Sequence, residues 1–129
     1  MELTVTLRLP DLALSPNARV HWAQKAAATR AYRTLAHVRG LEALGNVDHL
    51  PRWKRATARA IFYVPDRRRR DRDNLLASLK AAFDGFVDAG ILEDDAGLTH
   101  LPVVIQVDQD NPRVEIRLSP QPGADKEAV

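Results

Sequence analysis

A chain of 129 residues, 45% hydrophobic and 28% charged, is the size of one globular domain and apolar enough to bury a core. It contains no cysteine, so disulfides and thiolate-held metals are excluded and the chain suits a reducing compartment. No apolar run approaches bilayer-spanning length, and Met1 to Leu9 alternates instead of forming a signal peptide's apolar stretch; the expectation is a cytoplasmic protein with no membrane partner.

Leu3, Val5, Leu7 and Leu9 alternate with polar residues, the pattern of a half-buried first strand, which Pro10 ends. Ser15-Pro16-Asn17 marks a loop. An Ala-rich segment from about Val20 to Leu44 predicts a long helix closed at Gly45-Asn46. Alternation returns over residues 55–64, with Ala56, Ala58, Ala60, Phe62 and Val64 on one face; these mostly small residues predict a helix packed closely against them. A second helix is predicted from about Asp73 to Ala89, stopped by Gly90 and followed by the acidic turn Ile91-Leu92-Glu93-Asp94-Asp95. Two more strands, Leu101 to Val107 and Arg113 to Leu118, are joined by the turn signal Asp110-Asn111-Pro112. From Ser119 onward the composition predicts a disordered tail. The order β-α-β-α-β-β describes an α+β domain over residues 1–118, with two main helices on a small mixed sheet, and a tail over 119–129.

The net charge of +2 conceals its distribution. Between Arg52 and Asp73 lie nine basic residues against three acids, a local excess of six. The densest part is Arg67-Arg68-Arg69-Arg70, followed by Asp71-Arg72-Asp73. Adjacent guanidinium groups repel one another and attract phosphate, which is the electrostatic footprint of a nucleic-acid binder; a solvated basic face is the plainer reading. Two neighbouring carboxylates are costly to keep ionised together without a cation between them. One aspartate is explained as a helix N-cap, but the other is left over. At about 100° per residue, Leu75, Leu76, Leu79, Phe83, Phe86 and Val87 form the second helix's core face. Asp73, Ala77, Lys80 and Asp84 form a polar stripe, which a solvated face with charge pairs would also explain. His21, His37, His49 and His100 show no metal-ligand spacing and read as structural or solvated; Trp22 and Tyr32 read as core.

The run Pro65-Asp66-Arg67-Arg68-Arg69-Arg70-Asp71-Arg72-Asp73-Asn74-Leu75 closely resembles the signature of the RusA family of Holliday junction resolvases. So do Lys80-Ala81-Ala82-Phe83-Asp84, Ala89-Gly90 and Asp94-Asp95-Ala96, and the likeness begins at Leu14-Ser15-Pro16-Asn17. The resemblance implies a RusA-like homodimer that binds a four-way DNA junction and nicks two strands symmetrically with Mg²⁺ or Mn²⁺. It implies that Asp71, Asp73 and Asp95 hold the metal, that Lys80 is the essential lysine, and that Arg70 contacts DNA, with Arg67, Arg68, Arg69 and Arg72 as further backbone contacts. Localisation would then be nucleoid-associated. Some members place the lysine four residues after the acidic pair; here the offset from Asp73 is seven. Of the two acids in the turn, Asp95 is preferred over Asp94 as the inward one. Two other readings compete: a non-catalytic branched-DNA-binding module, and a metal-dependent hydrolase of small phosphate esters.

Overall fold

The computed structural model describes residues 1–121. β1 (Leu3–Leu7) and a 3₁₀ turn (Leu12–Leu14) lead into α1 (Trp22–Leu44). β2 (Ala56–Val64) leads through α2 (Arg72–Ala77) and α3 (Lys80–Asp88) to a second 3₁₀ turn (Asp95–Gly97). β3 (Leu98–His100), β4 (Val104–Val107) and β5 (Arg113–Pro120) follow. The fold is α+β with a mixed sheet: β1 pairs antiparallel with β5, β5 antiparallel with β2, and β3 and β4 run parallel to β2 along its other edge. No helix among the described residues is long and apolar enough to cross a membrane.

Register explains how the alternating sequence becomes a core. Leu3, Leu118 and Ala58 stand in one row, Val5, Ile116 and Ala60 in the next, and Leu7, Val114 and Phe62 in a third. All nine are buried and belong to one cluster with Tyr32, Ala36, Phe83 and Phe86 of the helices. Period-two alternation thus gives one face to the helices. The other face carries Arg59 opposite Arg117, and Tyr63 beneath the Arg113 guanidinium at 3.8 Å from the ring centre.

α1 meets α3 through small residues. Tyr32, Ala36, Gly40 and Leu44 recur every fourth position and are the buried residues of α1. A Cβ at Gly85 would stand 2.4 Å from the Arg33 carbonyl oxygen, so only hydrogen permits this approach. Arg33 closes the crossing with a two-pronged ion pair to Asp88, at 2.6 and 2.8 Å.

Several expectations need correction. The single second helix is two helices, broken at Ser78-Leu79. The Ser78 hydroxyl donates to the Leu75 carbonyl at 2.6 Å, and the Leu79 amide bonds Leu76 rather than Leu75. Serine competing for backbone carbonyls tightens the turn and breaks the helix. The first strand stops at Leu7, the strand expected over Leu101 to Val107 shortens to β4, and β3 is a further short strand ahead of it that was not expected. β5 runs to Pro120, two residues further than expected, because Pro120 pairs with Ala56. The disordered tail expected from Ser119 otherwise lies outside the described residues. Tyr32 is core, but Trp22 is 76% exposed at the first position of α1.

Candidate active site

Two short segments bring the acidic residues together. Asp71 caps α2: its Oδ1 accepts from the amides of Asp73 at 2.8 Å and Asn74 at 3.1 Å. Capping leaves Asp73 exposed in the first turn, where negative charge is favoured. At the other end, α3 closes on a Schellman motif, with Ile91 N–H donating to Phe86 O and Gly90 N–H to Val87 O. Gly90 takes φ +79° there, which side chains with a Cβ rarely adopt. The following residues pair with Trp53 through Trp53 N–H to Ile91 O and Glu93 N–H to Trp53 O. This short ladder aims Asp94 and Asp95 back toward the helices.

Asp94 uses its side chain as a cap, accepting from the Ala96 amide at 3.2 Å. Asp95 faces Lys80, whose Nζ lies 2.7 Å from Asp95 Oδ2 and 2.8 Å from Asp84 Oδ1. The bonds to Asp84 and Asp95 hold the Lys80 ammonium above its ordinary range, and Lys80 in turn holds the Asp95 carboxyl below its own. Asp73, Ala77, Lys80, Asp95 and His100 line one open cavity of about 370 Å³, with Leu76, Phe83 and Leu98 as its apolar wall. The polar stripe therefore survives the helix break from Asp73 to Lys80.

Asp71 lies on the other side of α2, lining a second cleft with Asn74, Leu75 and Ser78. The expected triad is thus only partly assembled: Asp73 and Asp95 share a cavity, and Asp71 is turned to the cap. Among the described residues no three carboxylate or histidine side chains stand close enough to hold a metal by themselves.

His100 carries no metal-ligand spacing in the sequence, yet it lies in this cavity. Its ring meets Phe83 edge-on at 5.0 Å. Burial pushes the imidazole below its ordinary value, opposed only in part by Asp95. The one sequence signal that could have found it is its position five residues after Asp95, in a segment that must run beside β2.

The arginine run divides into two kinds. Arg70 turns inward, its side chain only 12% exposed. It donates to the backbone oxygens of Asp66 at 3.0 Å and Arg68 at 2.8 Å, and to Asp66 Oδ1 at 3.0 Å. The Arg68 amide also donates to that carboxylate, which the two partners hold below its ordinary range. Asp66 and Arg70 therefore clamp the loop, and Arg67, Arg68 and Arg69 are exposed. Arg72 reaches across to the Val103 carbonyl at 3.3 Å, tying α2 to the segment before β4.

No protein-family model matches the chain. It is similar to a protein of Xylella fastidiosa (strain Temecula1 / ATCC 700964), named only as an uncharacterized protein, with 37% identity over 97 residues. The match covers 75% of this chain and 63% of that protein, so the chain spans just under two thirds of its relative's length.

Proposed function

We propose that this chain is a Mg²⁺-dependent, RusA-like endonuclease that acts as a homodimer on four-way DNA junctions and nicks them in symmetric pairs. The observation that carries the reading is one cavity shared by Asp73, Lys80 and Asp95, contributed by separate parts of the chain, within a few residues of an exposed arginine loop. A polyanion-attracting loop beside paired carboxylates and a lysine meets the needs of phosphodiester hydrolysis better than those of a small phosphate ester, which calls for no long basic run.

The donor set fits a hard cation. Mg²⁺ is commonly held by one or two carboxylates, with water and substrate phosphate completing its shell. Asp73 and Asp95, which line one cavity, would supply such a pair once Lys80 gives up its bond to Asp95. Asp71 makes both capping bonds through Oδ1 alone, so its other oxygen lies outside the cap. When bound, the ion would polarise the scissile phosphate and make a coordinated water more acidic. Lys80 keeps its proton and can donate to a phosphate oxygen as negative charge builds there. His100, uncharged near neutrality, can accept a proton from water. Arg67, Arg68 and Arg69 would hold the strand backbone without reading bases. In a homodimer, two-fold symmetry would present the same site to opposed strands.

A non-catalytic branched-DNA-binding role is the second reading. It is favoured by the Lys80 ammonium that already neutralises Asp95 and by the capping role of Asp71. Labelled four-way junctions separate the two: paired nicks with Mg²⁺ and none with EDTA support the nuclease, whereas binding without nicks in either condition leaves only the binding module. Equal cutting of linear duplex would remove the junction preference.

A further inference from the structure

The second cleft, on the far side of α2, shares Asp71 and Arg68 with the proposed nuclease surface but holds none of Asp73, Lys80, Asp95 and His100. It is about 300 Å³, the lower end of the range for small-ligand pockets. Its walls include Leu9, Leu12, Val64 and Leu75, with Asn74, Arg68, Asp11 and Asp71 among its polar groups, and both aspartates accept from nearby backbone amides. Leu12 is held there by the 3₁₀ turn that buries Ala13 and Leu14, and it stays 83% exposed. Leu12 thereby adds an apolar rim to the cleft, open to whatever ligand enters it.

The chemistry of the cleft narrows what that is. The exposed arginines suit phosphate, the apolar walls suit a flat ring, and a carboxamide can pair with the hydrogen-bonding edge of a base. Position agrees with this. Asp71, Asn74, Leu75 and Ser78 line this cleft, while Asp73, Leu76, Ala77 and Lys80 line the cavity of the two carboxylates. The two sites are the opposite sides of one helix turn. The path around a helix about 10 Å across is about 16 Å, so at about 3.4 Å per stacked nucleotide a strand at one site reaches the other within about five nucleotides.

We propose that this cleft receives an unstacked nucleobase from the strand whose phosphate lies at Asp73 and Asp95. The assignment rests on the nuclease reading for that strand's position. It adds a base-sized site to a surface that otherwise grips only backbone, and gives the protein a reason to favour junctions, where bases at the branch point are the easiest to unstack.

The test places 2-aminopurine, which brightens on unstacking, at each nucleotide within about five of the nick in a four-way junction bound in EDTA. One position is expected to brighten about threefold or more. Leu12→Ala and Asn74→Ala should each cut that rise by about half or more and weaken binding by no more than a few-fold, with the salt slope unchanged because neither residue carries charge. Brightening that survives both variants belongs to junction opening and overturns the assignment. So does the absence of any bright position on a junction that is bound and, with Mg²⁺, nicked; the nuclease reading then stands alone. Brightening that the variants remove, without nicking in Mg²⁺, keeps the cleft and removes the nuclease. Sedimentation showing that Leu12→Ala dissociates a dimer would assign the cleft to a second copy and overturn the proposal, and failure to bind DNA at any salt concentration would end both.

Discussion

Lys80 between Asp84 and Asp95 is the most informative side-chain arrangement, because its charge balance separates a structural ion pair from a reaction centre. A purely structural pair would make Asp95→Asn costly to stability and silent in DNA chemistry. At 67% exposure for Lys80, however, the pair adds little to stability. Asp73→Asn and Asp95→Asn are therefore expected to melt within a few degrees of the wild type and to bind junctions at least as well, since negative charge is removed. Each should lose about a hundredfold or more of Mg²⁺-dependent nicking. Retention of full nicking by either variant would remove that carboxylate from the site. His100→Ala should slow nicking by about ten- to a hundredfold without weakening binding. Burial lowers the imidazole's pKa, so the wild-type rate should rise with pH through a value below 6.5 and flatten above it. The pH–rate profile of His100→Ala should lack that limb; an unchanged limb would assign it elsewhere.

At the scale of elements, the alternating segments were legible because strand burial follows a period of two whatever the tertiary partners. Ala56, Ala58, Ala60, Phe62 and Val64 face the core as that period predicts. The break at Ser78-Leu79 was not legible, because the apolar pattern continues across it and only the Ser78 hydroxyl's choice of acceptor interrupts the ladder. Asp73 and Lys80 could be assigned to one stripe from spacing. The meeting with Asp95 could not, since it depends on the Trp53 ladder and on Gly97. A Cβ at Gly97 would overlap the Lys54 carbonyl oxygen at 1.8 Å, so Gly97→Ala must displace the turn that carries Asp95. That variant is expected to lose nicking about tenfold or more while binding DNA normally. Gly85→Ala strikes the α1 backbone instead and should destabilise by about 1–3 kcal/mol, seen as a lower urea midpoint. The same crossing gives a pH signature. Bonding to Arg33 holds the Asp88 carboxyl below its ordinary value, so its contribution is present above the unfolded aspartate value near about 4. It is lost as pH falls through the lower folded value. Asp88→Asn should flatten the fall in stability on that acidic side.

Over the whole molecule, positive charge is concentrated between Arg52 and Arg72, and the structure changes which arginines present it to solvent. Sequence alone treats Arg67 to Arg70 as one block, because adjacency shows charge density but not side-chain direction. Arg70 is the member whose guanidinium is consumed by the loop that presents the others. Replacing it should therefore act differently from replacing its neighbours. Arg67→Ala, Arg68→Ala and Arg69→Ala combined should weaken binding to junction and duplex alike. They should also lower the slope of log affinity against log salt by up to about 2.7, from roughly 0.9 for each phosphate no longer neutralised. Arg70→Ala removes one charge of which little reaches solvent, so the slope should change by less than about 0.9. Affinity should fall nonetheless, because the loop loses three of its bonds and must be ordered on binding. Binding isotherms over a salt series for both variants decide the matter: if Arg70→Ala flattens the slope as much as the triple variant does, Arg70 leaves its clamp to grip DNA. If neither variant changes the slope, the arginine loop is no phosphate site and the nucleic-acid reading of this surface fails.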